Sequence, residues 1–319
     1  MSNLPANWDD HQRTINAHVL QSHIWAAFQT QVGRKLHYTS GKNFSWVGFE
    51  RRSHGLHYLA LPYGPTILSD AKSAYLSIIN QAKSAHLDLV RVEPFGSEDI
   101  EILQSFGARK IADVEPQFTQ VIDLKKPEDE LRADLASGHR NRINTAPKRG
   151  VEVYKTNSLD EIDDFLALMH DTAKHAGITN HPDEYYQQMA ETMLPSGQAS
   201  FYVAKAEGKK VTISLIYDYH GTRYYAHTGS NQTLNRKYNA GVFLVWQMIC
   251  DAKADGFSRF DLWGVAPPTS DSTHKWAGIT AFKQGFGGDT VGTLGTWDIP
   301  IKKNKYKIYG VYRKLRGRA

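Results

Sequence analysis

The sequence predicts an α/β protein of two related units in tandem, each with a mixed, mostly antiparallel sheet. Three observations carry this expectation. Runs of apolar and β-branched residues at period two alternate with amphipathic segments at period 3.6 along the whole chain. The chain also repeats itself: Ile79 to Val90 (INQAKSAHLDLV) matches Ile249 to Phe260 (ICDAKADGFSRF), and Leu103-Gln-Ser-Phe106-Gly107 matches Lys283-Gln-Gly-Phe286-Gly287. Its 319 residues suffice for two domains, each burying a core of its own.

In chain order, His18 to Gln31 reads as a helix with Leu20, Ile24, Ala27 and Phe28 on one face. Phe44–Arg51 and Leu56–Leu61 read as strands joined by a Ser-His-Gly turn, and Pro62-Tyr63-Gly64-Pro65 closes the second. Asp70–His86 is a predicted helix, Leu87–Val92 a strand, Glu98–Phe106 a helix and Phe118–Leu124 a strand. Pro127 to Thr145 reads as one charged helix stopped near Pro147. Val151–Lys155 is a strand, and Leu159–His175 and Pro182–Met193 are helices. A three-strand meander follows, Ser200–Ala206, Val211–Tyr219 and Thr222–Thr228, then the helix Ala240–Ala254. The order strand, strand, helix, strand, helix, strand in each half is that of the GNAT acyltransferase fold, an analogy of pattern only.

The chain turns on the stretch from Phe260 to Gly288. Phe257 to Val265 reads as a buried strand ended by Pro267 and Pro268. A polar loop leads to the short amphipathic segment Lys275–Gln284, which Gly285, Gly287 and Gly288 break before the strand Thr290–Leu294. This order places one cation, Lys283, beside an apolar floor of Phe282 and Phe286. Alone, Lys283 also reads as an ordinary surface lysine.

Composition bounds the rest. Hydrophobic residues make up 41% and charged residues 22%, as in a globular protein, and no apolar run reaches the ~18–20 residues of a spanning helix. The start, MSNLPANWDDHQRT, lacks a basic region followed by an apolar one, so no secretory signal is read. Cys250 is the only cysteine, which fits a reducing cytoplasm, and its place in an apolar helix suggests a buried, inert thiol. His54-x-x-His57 has no clear third ligand, so no metal is expected. The net charge of +5 is uneven: residues 302 to 318 carry eight lysines and arginines and no acid. That basic, tyrosine-bearing end suggests a polyanion nearby, RNA phosphate or anionic lipid, or else a solubilising tail.

Eight short motifs then fall in one order: Gln21-Ser22-x-x-Trp25; Pro62-Tyr63-Gly64-Pro65; Glu115-Pro116-Gln117 through Leu124; Arg140-Asn141-Arg142-Ile143-Asn144 through Val151; Tyr225-x-x-x-Gly229-Ser230; Ala240 through Trp246; Asp261-Leu262-Trp263-Gly264; and Phe282-Lys283-x-Gly285-Phe286-Gly287-Gly288. In this order they resemble the Fem family, peptidyltransferases that use aminoacyl-tRNA to build peptidoglycan side chains. The resemblance implies two GNAT-like domains, with residues 1–145 and 296–319 binding the precursor and 146–295 carrying aminoacyl-tRNA and catalysis. It implies transfer of an amino acid to the side-chain amine of a nucleotide- or lipid-linked stem peptide, for interpeptide bridges. It implies Lys283 as the catalytic cation, with Phe282 beside the acceptor adenosine. Arg34, Lys35, Arg140 and Arg142 are expected to meet the precursor's diphosphate, arginine through its planar fork. Tyr225, Arg236, Tyr238 and Trp263 complete the expected substrate contacts, Tyr225 among the meander tyrosines suited to stacking an unpaired RNA end. The chain departs from the family in lacking a long charged hairpin. The basic residue expected just after Trp25 is also displaced to Arg34 and Lys35.

The expected chemistry needs no cofactor. An aminoacyl ester is already activated, and the sequence has neither G-x-x-x-x-G-K-[ST] nor G-x-G-x-x-G. A fixed cation would stabilise the oxyanion formed when the amine attacks. Asp261 and His274 are candidates for the base, each with an ordinary structural reading. The expected protein is a cytoplasmic monomer that touches the membrane peripherally through its basic tail. Two other readings stand beside it: a GNAT N-acyltransferase using acyl-CoA, with Arg236-Lys237-Tyr238-Asn239-Ala240-Gly241 as the phosphate turn, and a non-catalytic protein binding RNA or a membrane surface.

Overall fold

In the computed structural model, which describes residues 4–96 and 100–315, two compact units appear. One comprises Met1–Gln117 with Gly292–Ala319, the other Phe118–Val291. The first unit runs α1 (Trp8–Thr14), α2 (His23–Gln31), β1 (Leu36–Ser40), β2 (Phe44–Ser53), β3 (Leu56–Leu61), β4 (Thr66–Ile67), α3 (Ala71–Ser84), β5 (Leu89–Val92), β6 (Phe95–Gly96), α4 (Ile100–Ser105) and β7 (Arg109–Lys110). The second runs β8 (Phe118–Asp123), α5 (Glu128–Ala133), α6 (Ser137–Thr145), β9 (Glu152–Thr156), α7 (Ile162–Ala176), α8 (Asp183–Met193), β10 (Ala199–Ala206), β11 (Lys209–Tyr219), β12 (Thr222–Ser230), α9 (Gln232–Tyr238), α10 (Ala240–Ala254), β13 (Arg259–Val265), α11 (Ala277–Gln284) and β14 (Asp289–Gly292). The chain then returns to the first unit with β15 (Trp297–Pro300) and α12 (Lys303–Leu315).

Both sheets follow one plan, and the sequence repeat is its signature. The first is ordered β6-β4-β2-β3-β5-β15-β7 with β1 beside β2, and β5 runs parallel to β3. The second is ordered β14-β8-β13-β12-β11-β10-β9, and β13 runs parallel to β12. The matching segments are α3–β5 and α10–β13, then α4–β7 and α11–β14. In each sheet one strand is inserted from elsewhere: β15 between β5 and β7, and β8 between β13 and β14.

That insertion moves the boundary read from sequence. Residues 118–145 fall in the second unit, because β8 lies antiparallel to β13, with Phe260 opposite Ile122. Leu131, Leu135 and Ile143 join the same core as Phe260 and Phe286. The first unit's core gathers around Trp46, Leu59, Tyr75, Ile78, Val90 and Trp297. The expected single helix from Pro127 to Thr145 is two helices. Between them Ala136 N–H donates to Gly285 O at 2.9 Å, and Arg140 Nη2 donates to Ala133 O and Leu135 O at 2.9 and 3.0 Å. Tertiary partners for these backbone groups outweigh helical continuity. A short helix, α9, also lies where the sequence suggested only a turn.

One charge cluster pins the second sheet to α10. Arg223 is fully buried on β12. Its guanidinium forks onto Asp218 at 2.7 and 2.8 Å, reaches Asp255 at 2.9 Å, and donates to the Tyr202 hydroxyl at 3.0 Å. Removing one member of such a buried set leaves the others uncompensated, typically at a cost of ~3–5 kcal/mol. Arg223→Met is therefore expected to lower unfolding free energy by ~3–5 kcal/mol in urea titrations. A loss below ~1 kcal/mol would make this a solvated surface pair in energetic terms.

Candidate active site

The site is built from β13 and the short helix behind it. β13 carries a bulge against β8, where pairing jumps from Asp261–Val121 to Gly264–Thr119. Within the bulge Trp263 has φ of 63°, a left-handed conformation that a non-glycine residue adopts at a cost. The Asp261 carboxylate supports it by accepting from Trp263 N–H at 2.7 Å. Just past the bulge, Gly264 O accepts from Lys283 Nζ at 2.7 Å. Lys283 lies at the end of α11 and is only 7% exposed, so the sequence-predicted cation is not a surface lysine. Burial pulls its ammonium down to about 8, against the opposing pull of Asp261. Burial pushes the Asp261 carboxyl up to about 6, against the Trp263 N–H bond and the charge of Lys283. Among the described residues, the hydrogen bond to Gly264 O is the one Lys283 Nζ makes, which leaves donors for a ligand.

The glycines after Lys283 have a packing reason. A Cβ on Gly285 would lie 2.4 Å from the His139 ring, and one on Gly288 would lie 2.2 Å from Val121 O. His139 packs against Phe286 and Phe282, with ring centroids 4.6 and 5.7 Å away. It shares a 3.0 Å hydrogen bond with Phe282 O. The Arg-Asn helix and the glycine-broken lysine motif, far apart in sequence, thus meet through His139. Sequence reasoning passed over His139, although it stands next to the quoted Arg140.

Motifs of the first unit meet as well. Gln21 donates to Pro62 O at 2.8 Å and accepts from Val47 N–H at 2.8 Å, and a Cβ on Gly64 would strike its amide. Ser22 caps α2 by accepting from Trp25 N–H. The Tyr63 hydroxyl donates to Pro116 O at 2.8 Å. Glu93 follows β5 and accepts from Glu115 N–H and Thr296 Oγ1 at 2.8 and 2.6 Å. Burial raises both carboxyls, and the Glu93 charge raises Glu115 further. This acid pair, Glu93 buried and Glu115 half-buried, was not foreseen, although Glu115 opens one of the motifs.

The other sequence-predicted residues are distributed as follows. Arg34 donates to the Gln29 side chain, and Lys35 pairs with Glu50 at 3.1 Å, both in the first unit. Arg140 is spent on the carbonyls of the α5–α6 break, while Arg142 is exposed on α6. Tyr225 and Tyr238 belong to the second unit's core, with Tyr225 hydrogen-bonded to the hydroxyls of Thr228 and Ser214. Arg236 is exposed on α9. Trp263 sets its ring edge to face against Tyr217 and Tyr224 at 6.3 and 5.8 Å. Phe282 is half-buried against Phe286. Of the candidate bases, Asp261 is buried beside Lys283, and His274 Nδ1 accepts from Trp276 N–H to form a turn. Burial pushes the Cys250 thiol up to about 12, in keeping with an inert side chain. His57 contacts Glu50 at 2.7 Å, and His54 contacts Ser53.

Two mixed sheets that share the parallel pair β3–β5 or β12–β13, with an inserted antiparallel strand beside it, define a tandem GNAT-fold protein. The family model described as an acetyltransferase (GNAT) domain matches residues 135–277. The crystal structure of FemX superposes with a TM-score of 0.81 at 15% identity, covering 97% of this chain and 98% of that one. The L-PGS structure from Bacillus licheniformis follows at TM-score 0.63 and 13% identity, covering 94% and 92%. In sequence, the UDP-N-acetylmuramoylpentapeptide-lysine N(6)-alanyltransferase of Weissella viridescens is 29% identical over 51% of this chain and 48% of its own. The aminoacyltransferase FemA of Staphylococcus aureus is 30% identical over 30% of this chain and 22% of its own. The chain thus spans about half the length of the first of these relatives and less of the second. In sequence and in fold the chain is thus similar to transferases of the Fem type.

Two outcomes are expected from the site's packing and charge. Gly285→Ala should cost ~1–3 kcal/mol of stability, with part of the loss recovered when His139→Ala is added. Equal losses in the single and double variants would mean that the ring is not what excludes a side chain there. In NMR titration the Lys283 ammonium should lose its proton near pH 8, and Asp261→Asn should shift that event lower. The unfolded chain keeps this proton until about pH 10.5. Between those limits it binds more protons than the folded chain, so this group's contribution to stability rises with pH. Titration at the ordinary lysine value would show that the ammonium is hydrated.

Proposed function

We propose that the chain is an aminoacyltransferase that moves an amino acid from aminoacyl-tRNA to the side-chain amine at position three of a peptidoglycan stem peptide. The observation that carries this reading is Lys283, a buried ammonium aimed at a strand carbonyl within a motif that resembles one of the Fem family. The names of the relatives, an alanyltransferase and an aminoacyltransferase, agree with it. The amine attacks the ester carbonyl and the tetrahedral oxyanion forms. Collapse then makes the amide, breaks the ester and returns a proton to the departing ribose oxygen. A fixed cation in a water-poor setting stabilises the oxyanion or the terminal phosphates without reorganising. In this reading the second unit holds the RNA end, with Trp263 and Phe282 as stacking surfaces. The first unit takes the precursor, with Arg34 and Lys35 toward its diphosphate. The enzyme works as a monomer on the cytoplasmic side, without cofactor or metal.

A specific observation weighs against the acyl-CoA reading. That reaction needs free N–H groups at the helix start to cradle pyrophosphate. At the start of α10, Gly241 N–H is already satisfied by the Asn235 side chain at 2.6 Å, and Asn235 also occupies the space beside the glycine.

The test is single-turnover transfer of radiolabelled amino acids from a charged tRNA pool to nucleotide- and lipid-linked precursors. Lys283→Met keeps length and apolar packing while removing the charge. Loss of a well-placed charge stabiliser costs ~10²–10³ in turnover, with the melting temperature held. A folded variant within about threefold of the parent, on the order of 0.65 kcal/mol, would remove Lys283 from the chemistry.

A further inference from the structure

The C-terminal helix α12 has two faces with different fates. Its inner face is docked on the first unit. Tyr306 is 8% exposed, packs with Leu56 and Leu89, and donates its hydroxyl to Asp298 at 3.1 Å. Lys302 and Lys305 reach Asp88 at 3.0 and 2.6 Å. Burial alone would raise the Asp88 carboxyl, but bonds from Lys305, His57 N–H and Lys302 pull it down to about 2. The helix is therefore held in place. Its outer face carries Ile308 at 70% and Val311 at 59% exposure, three residues apart and so on one stripe. Exposed Lys303 and Lys307 flank the stripe, and no acid follows Asp298 in the chain. Beside the helix a shallow depression of about 240 Å³ is lined by His54, Gly55, Leu56, Lys305, Ile308 and Tyr309.

We propose that α12 is a membrane-surface docking helix that lays Ile308 and Val311 into the headgroup boundary of an anionic bilayer. Both halves of the observation are needed to choose this occupant. Lysines alone would serve RNA or lipid phosphate equally. Protruding aliphatic side chains gain nothing from a hydrated RNA backbone, but they gain burial at a lipid interface. An amphipathic helix with an apolar stripe and a basic border is the usual form of such a contact. The consequence for the acceptor rests on the proposed transferase reading: a protein held at the bilayer meets a lipid-linked precursor, not a soluble nucleotide-linked one.

The full chain is tested by flotation with phosphatidylcholine vesicles, with and without phosphatidylglycerol, and in parallel by binding to tRNA. The parent is expected on phosphatidylglycerol vesicles, with binding that weakens as salt rises. Ile308→Ser with Val311→Ser should weaken vesicle binding at least about tenfold while tRNA binding and melting temperature stay put. Lys303→Gln with Lys307→Gln should remove most of the preference for phosphatidylglycerol. Lys283→Met should bind vesicles like the parent, so failure of the transferase reading leaves this result standing. Vesicle binding unchanged by the serine pair, or tRNA binding lost instead, would overturn the docking helix. With a working transfer assay, the serine pair should slow transfer to vesicle-borne precursor and spare transfer to the nucleotide-linked one. Equal slowing of both would overturn the assignment of acceptor.

Discussion

A lysine buried in a protein needs an acceptor, and the second unit is organised around supplying one to Lys283. Gly264 O is in place because β13 bulges at Trp263, and the bulge stands because Asp261 accepts from the strained residue's N–H. An ionised Asp261 is costly to bury, and the Lys283 charge lowers that cost. Each member is thus tolerable because of the others. Buried and strained groups of this kind are concentrated at sites that work, where the surrounding fold over-determines them.

The surrounding fold can be followed outward from that point. α11 ends in glycines that let α5–α6 and β8 approach closely, and His139 fills the gap that Gly285 leaves. The break between α5 and α6 sends one backbone N–H to Gly285 O and uses Arg140 to satisfy two carbonyls. Arg223 and its carboxylates tie β12, which pairs with β13, to the sheet and to α10. Beside the bulge Tyr217 and Tyr224 are buried, and the half-buried Trp263 packs edge to face against both.

The first unit uses the same plan for other ends. In place of Lys283 it has Leu103, fully buried in an apolar core, so the duplicated short helix supports packing there and a charge in the second unit. Its polar investment lies elsewhere, in Gln21 bridging β2 to the proline turn and in the Glu93–Glu115 pair under Thr296. Two copies of one fold have thus diverged by moving their buried polar groups and in the strands beyond β2 and β11, while the order β7-β15-β5-β3-β2 is kept in β14-β8-β13-β12-β11.

The sequence by itself determined the class of fold, the duplication, the order of the main elements and Lys283 as the residue to watch. These are properties of local periodicity, of glycine and proline breaks, and of short motifs, all of which are written along the chain. Tertiary structure alone decided which sheet β8 and β15 join, because strand pairing partners distant in sequence leave no local mark. It turned Tyr225 and Tyr238 into core residues and Arg140 into a helix cap, since a side chain's role depends on which backbone groups and cavities come to lie beside it. It also revealed His139 and the acid pair, and among the described residues 302–311 it separated a docked face from an exposed one. A polar side chain declares burial only once the fold has closed around it.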